Sequence, residues 1–137
     1  MENFGSAAAR HWEDAQHLHV IGRVDNSAYL AGYAIECSLK VLIEIAGPNP
    51  KALGHDLSGL SGDALVLACV LAPWLHRYQI SKTEDFEHVM RAWVPEMRYS
   101  ATGQVSGEQC KQFLRAAESV FQEIVLSAHL DGLVRQL

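Results

Sequence analysis

Ser27-Ala28-Tyr29-Leu30-Ala31-Gly32-Tyr33-Ala34-Ile35-Glu36-Cys37-Ser38-Leu39-Lys40 decides the fold. Ala28, Ala31, Ile35 and Leu39 recur at steps of three and four, and Leu42 and Ala46 extend the series. That spacing puts all six on one face of a helix. Asp25 or Asn26 offers a side-chain oxygen to cap its start. Gly47-Pro48 closes it, since glycine tolerates the left-handed turn and proline cannot continue a helix. Ala28, Ala31, Gly32 and Ala34 are small enough to let another helix approach closely. A second strip, Tyr29, Tyr33, Glu36 and Lys40, runs along the same helix at steps of four, three and four.

Working outward, the flanking segments are also helical in pattern. Toward the N-terminus, Ala8, Trp12, Ala15 and Leu18 or His19 share a face over about 5–21, and Gly22 is a stop. Beyond Gly47, Pro48-Asn49-Pro50 is a turn, and Gly54-His55-Asp56-Leu57 enters a short helical turn capped by Asp56 or Ser58. A helix from Ala64 to about Leu71 follows and meets Pro73. Thr83-Glu84-Asp85 starts another, which runs to about Trp93. Arg98 to Gly107 is a polar loop, and Ser106 with Gln109 matches a capping box for the last helix. Phe113, Ala117, Val120, Phe121, Ile124 and Ala128 form its apolar face, and Gly132 ends it. No alternating strand pattern and no internal repeat appears. The expectation is an all-α, up-down helical bundle. It has about four main helices, with short extra helices between the second and the last. The 137 residues form a single domain, 1–137.

The bulk properties limit the function. A formal net charge of −5 argues against a broad nucleic-acid-binding face but leaves room for a local basic pocket. Cys37, Cys69 and Cys110 are odd in number and far apart, so neither a disulfide framework nor a zinc site is expected. The first residues carry no signal-peptide pattern, and the longest apolar stretch is too short for a bilayer. A cytoplasmic protein with no membrane contact, metal or cofactor is the expectation.

The 27–40 run resembles the signature helix of the HEPN family. Arg10-His11-Trp12-Glu13-Asp14-Ala15 is similar to that family's first helix, and Gly54-His55-Asp56-Leu57 to its usual turn. Trp93-x4-Arg98-Tyr99 resembles an element that precedes the last helix in one branch. The resemblance implies a helical bundle that forms homodimers. It further implies work in a prokaryotic toxin–antitoxin or defence system, beside a cognate nucleotidyltransferase-type partner. Many relatives are metal-independent ribonucleases with Arg, four to six residues, then His at the start of the final helix. Arg98 is the nearest match here, but no His follows it at that spacing, and Arg10-x6-His17 lies on the first helix. The expected function is therefore a binding domain for nucleotide, RNA or a partner protein. The alternatives are a ribonuclease with a degenerate motif, using Arg98 and His55, and a pure protein-interaction module.

Tyr33, Glu36, Lys40, Arg98 and Tyr99 are the candidate ligand-binding residues. Glu36 would orient a base or amine, Lys40 would meet phosphate, and the tyrosines would stack. Arg98 would either bind phosphate at the N-terminus of the last helix or bridge to Glu36, since a buried carboxylate needs a cation. A surface Glu36–Lys40 pair is the plainer reading of the same spacing. Arg98 and His55 are the catalytic candidates, although Asp56 beside His55 reads more simply as a helix cap. His11, His17 and His19 on the first helix lack metal-ligand spacing, and His76-Arg77-Tyr78 forms a small basic-aromatic patch.

Overall fold

The computed structural model describes residues 2–47, 55, 59, 77–78, 80–134 and 137. It is an all-α helical bundle, as the periodicity requires. The elements are α1 (Phe4–Val20), α2 (Val24–Ala46), α3 (Glu84–Ala92), a 3-10 turn (Pro95–Tyr99) and α4 (Gly107–Val120). α4 runs on through a π-helical segment (Phe121–Leu126) into α5 (Ser127–Leu130). The expected turn at 48–50, the helix at 64–71, and Asp56 and His76 lie outside the described residues.

α1 and α2 are joined by three residues and run antiparallel. Ser27, at the start of α2, donates its hydroxyl to the Ala15 carbonyl near the end of α1 (2.6 Å). At the other end the Lys40 ammonium sits 5.5 Å from the Phe4 ring centre. The small residues on both helices make this close approach feasible: Ala8, Ala15, Ala28 and Ala31 are all fully buried. α3 lies antiparallel to α4, with the Arg115 guanidinium 2.9 Å from the Asp85 carboxylate and the His88 ring against Phe113. Ile35, Leu39 and Ile43 of α2, Phe86 and Val89 of α3, and Phe113 and Val120 of α4 fill the core. α2 is central to this packing, which is why its mean hydropathy exceeds that of its neighbours and why most of its residues are buried.

Most of the expected boundaries hold. Thr83 caps α3 by accepting from the Phe86 amide, and Ser106 caps α4 by accepting from the Gln109 amide. α1 is capped by Asn3, whose side chain accepts from the Ser6 amide. Three expectations are corrected. The cap of α2 is Arg23, with no side-chain hydrogen bond, rather than Asp25 or Asn26. The 98–107 loop begins later, because Arg98 and Tyr99 complete the 3-10 turn opened by Pro95. The last helix is not uniformly α: its π-helical segment presents Phe121, Ile124 and Val125 to the interior together with Val120 and Ala128.

Asp25 has another task. Its two carboxylate oxygens accept from the Gly103 and Val105 amides at 3.1 and 3.2 Å, tying the segment before α4 to the first turn of α2. Those amides hold the Asp25 carboxyl below its ordinary value of 3.8. Asp25→Ala is expected to lower stability by about 1 kcal/mol, the contribution of a pair of exposed charge-assisted bonds. The folded pKa lies below the unfolded one, so this stability is fully present above pH 3.8. It is lost as pH falls through the lower folded value. Urea midpoints of wild type and variant should therefore differ at pH 6, and the difference should shrink as the pH is lowered below 3.8.

Candidate functional site

Along the polar strip of α2, Glu36 and Lys40 are buried and Tyr29 and Tyr33 are half-buried. The Glu36 and Lys40 side chains are only 4% and 8% exposed, and the Lys40 ammonium donates to Glu36 Oε1 at 2.9 Å. His55 closes over the same carboxylate, with Nδ1 2.9 Å from both Oε1 and Oε2. The Glu36 carboxylate thus has two nitrogen partners, which is what permits an acid at this depth. The i,i+4 spacing brings Glu36 and Lys40 together, and His55, 19 residues beyond Glu36 in sequence, meets the same carboxylate. Arg98, the partner expected for Glu36, is not among these: the cations at Glu36 are Lys40 and His55.

Above Glu36 on the same strip, the Tyr29 hydroxyl donates to the Tyr33 hydroxyl at 3.2 Å. The Tyr33 ring packs edge-on against Trp93 (5.0 Å between centres) and His55 (6.0 Å), and is tilted against His11 (5.6 Å). Burial first, and the Tyr29 hydrogen bond second, push the Tyr33 phenol well above its ordinary value. It stays neutral and serves as an aromatic wall. Trp93 is itself fixed, its indole N–H donating to the Tyr29 carbonyl at 3.0 Å.

Tyr33, Glu36, Lys40 and His55 line one cleft of about 480 Å³, which Phe4, Arg10 and His11 of α1 also bound, while Tyr29 and Trp93 stand behind Tyr33. That volume lies within the range of small-molecule sites. His11 is half-buried, and its pKa is lowered first by burial and then by the neighbouring Arg10 charge. Cys37 also reaches the cleft, but burial pushes its thiol up to about 12, so it is no nucleophile. His55 is shared with an adjoining hollow of about 380 Å³, which Met90, Arg91, Val94 and Pro95 help to line.

Of the residues picked from sequence, the fold therefore brings Tyr33, Glu36, Lys40 and His55 together. Arg98 and Tyr99 are placed elsewhere. The Arg98 guanidinium lies 4.8 Å from the exposed Tyr99 ring, and Arg98 lines a separate hollow with Arg23, Asp25 and Thr102. Tyr29 first, then Tyr99, raises the Arg98 pKa further above its ordinary value, so Arg98 is one tyrosine removed from the cleft. Arg98 and His55 consequently do not make a shared catalytic pair in this arrangement.

Sequence reasoning missed Arg10, His11 and Phe4 as cleft residues. One signal was present: His11 follows Ala7 by four and precedes Ala15 by four, so it shares the face that packs on α2. The three α1 histidines go to different surroundings. His11 enters the cleft, His17 is exposed, and His19 Nδ1 lies 3.7 Å from the Cys110 sulfur. Among the described residues no group of three His, Cys, Asp or Glu side chains could hold a metal ion. Of the basic-aromatic patch, Arg77 and Tyr78 are both bound to the Asp131 carboxylate. Among the described residues no helix is long and apolar enough to cross a membrane. Comparison with protein-family models, with curated proteins and with solved structures finds no match to this chain.

Proposed function

We propose that the chain is a HEPN-like binding domain whose cleft takes an anionic nucleotide or the end of an RNA chain. In this reading it acts as a cytoplasmic homodimer in a prokaryotic toxin–antitoxin or defence-type system, with a nucleotidyltransferase-type protein as its cognate partner. The likeness of the 27–40 run to the HEPN signature supports the setting. The observation that carries the ligand class is the lining of the cleft. An aromatic wall (Tyr33, Phe4, His11) stands beside a buried carboxylate able to accept from a base amine. The exposed Arg10 cation stands at the same cleft and suits a phosphate. A net charge of −5 favours a compact ligand over a long polyanion, which would need an extended basic face.

Equilibrium binding of ATP and of a short single-stranded RNA at fixed salt tests this. Arg10→Ala is expected to weaken binding about tenfold, one charge-assisted contact, while Arg98→Ala changes it little. Equal affinity of wild type and Arg10→Ala for both ligands, or a larger loss in Arg98→Ala, would remove the cleft as the site.

A further inference from the structure

We propose that the ligand spans two seats, a first nucleotide in the cleft and a second nucleoside in the adjoining hollow, with the phosphodiester between them passing His55. The preferred ligand is then a dinucleotide, free or at the end of a chain, rather than a single nucleotide; this rests on the reading of the cleft as a nucleotide site. His55 lines both cavities, so one side chain is all that separates them at that point. Tyr33 in the cleft and Trp93 in the hollow pack edge-on, with ring centres 5.0 Å apart, and His55 stands edge-on to Tyr33 at 6.0 Å. These three rings form the partition. The His55 ring is held at Nδ1 by the Glu36 carboxylate, yet its side chain is 52% exposed. One edge of the ring is thus fixed and the other is open to a chain crossing from one cavity to the next. At about 480 and about 380 Å³, each cavity is large enough for a small molecule of its own.

The lining of the hollow follows from the end of α3. Pro95 disfavours helical backbone in the residue before it. Trp93 and Val94 are accordingly extended, with φ, ψ of −85°, 131° and −142°, 152°. Neighbouring side chains on extended backbone point to opposite sides. Trp93 turns inward and is 3% exposed, while Val94 turns outward and is 48% exposed. Val94 and Pro95 give the hollow an apolar surface, and the exposed Arg91 and Glu96 flank it. A nucleobase has apolar faces and a polar edge. Its face suits Val94 and Pro95, its exocyclic amine suits the Glu96 carboxylate, and the Arg91 guanidinium can stack on it or meet a phosphate. The cleft repeats this set of chemistries with Tyr33, Glu36 and Arg10. Two adjoining cavities with like linings suit a ligand built of two like units.

The probes are AMP, 5′-phosphorylated adenylyl-adenosine, and the same dinucleotide lacking its second base, each titrated at fixed salt. The full dinucleotide should bind about tenfold tighter than AMP, the worth of one stacked base, and the abasic form should lose most of that gain. Arg91→Ala and Val94→Asp change exposed side chains and should melt as the wild type does. Each should weaken the dinucleotide about tenfold while leaving AMP affinity unchanged, whereas Arg10→Ala weakens both ligands. Equal affinity for AMP and the dinucleotide overturns the second seat and leaves the cleft reading standing. Failure of both to bind overturns both readings. A dinucleotide gain that persists without the second base, or in both hollow variants, arises from charge or from another surface, and it also overturns the second seat.

Discussion

Gly32→Ala is expected to destabilise the protein by about 1–5 kcal/mol, against the roughly 5–15 kcal/mol that holds a domain of this size. A Cβ at position 32 would stand 2.1 Å from Trp93 Nε1 and 2.2 Å from Cδ1, far inside van der Waals contact. The indole cannot absorb this by a small rotation. It is 3% exposed, its N–H is bound to the Tyr29 carbonyl, and its ring packs against both Tyr29 and Tyr33. Displacing it adds an overpacking penalty of about 1–3 kcal/mol to the loss of a buried hydrogen bond of similar size. The helix-propensity gain of alanine over glycine, about 1 kcal/mol, does not offset this. Urea denaturation with tryptophan fluorescence measures the effect. The Gly32→Ala/Trp93→Leu double variant should recover part of the loss relative to the sum of the single changes, because the two residues touch. A Gly32→Ala protein as stable as wild type would show that Trp93 does not occupy the notch at Gly32.

Removing one member of the buried ion pair should be similarly damaging. Glu36→Leu leaves the Lys40 ammonium buried without its carboxylate, and Lys40→Met leaves Glu36 with His55 alone. Losses of about 3–5 kcal/mol are typical when a buried charge loses its partner. His55 mitigates the second case, since it shares the same carboxylate, so Lys40→Met should be the milder of the two. The double variant Glu36→Leu/Lys40→Met should lie near the wild type, because it removes both desolvated charges and frees the half-exposed His55 to turn to water. A double-mutant cycle on denaturation midpoints would measure a coupling of several kcal/mol. Strictly additive losses would mean that the pair is solvated in the folded protein.

The pattern of apolar steps made α2 legible, because a helix packed on most of its sides needs small and branched residues throughout, and 27–40 supplies them. Caps at Thr83 and Ser106 were equally legible, since each depends on one hydroxyl and the amide three residues on. The role of Asp25 was not, because its partners Gly103 and Val105 are close only after α4 has folded beside α2. The same reason separates the site residues. Tyr33, Glu36 and Lys40 share a strip that helical geometry alone brings into line, and they do lie together. Arg98 was joined to them on electrostatic need, the demand of a buried acid for a cation. That demand was real, but the nearer cations Lys40 and His55 meet it. His11 and Arg10 sit on another helix: the Ala7, His11, Ala15 spacing puts His11 on the packed face of α1, but it does not say which α2 side chains that face meets. The π-helical segment was equally invisible, since Phe121–Leu126 reads as ordinary helix until packing selects its winding.

Arg10, His11, Tyr33, Glu36, Lys40 and His55 all belong to one polypeptide and face one cavity. The six groups that meet an occupant of that cavity come from a single molecule, so the contacts they offer are unchanged by dilution.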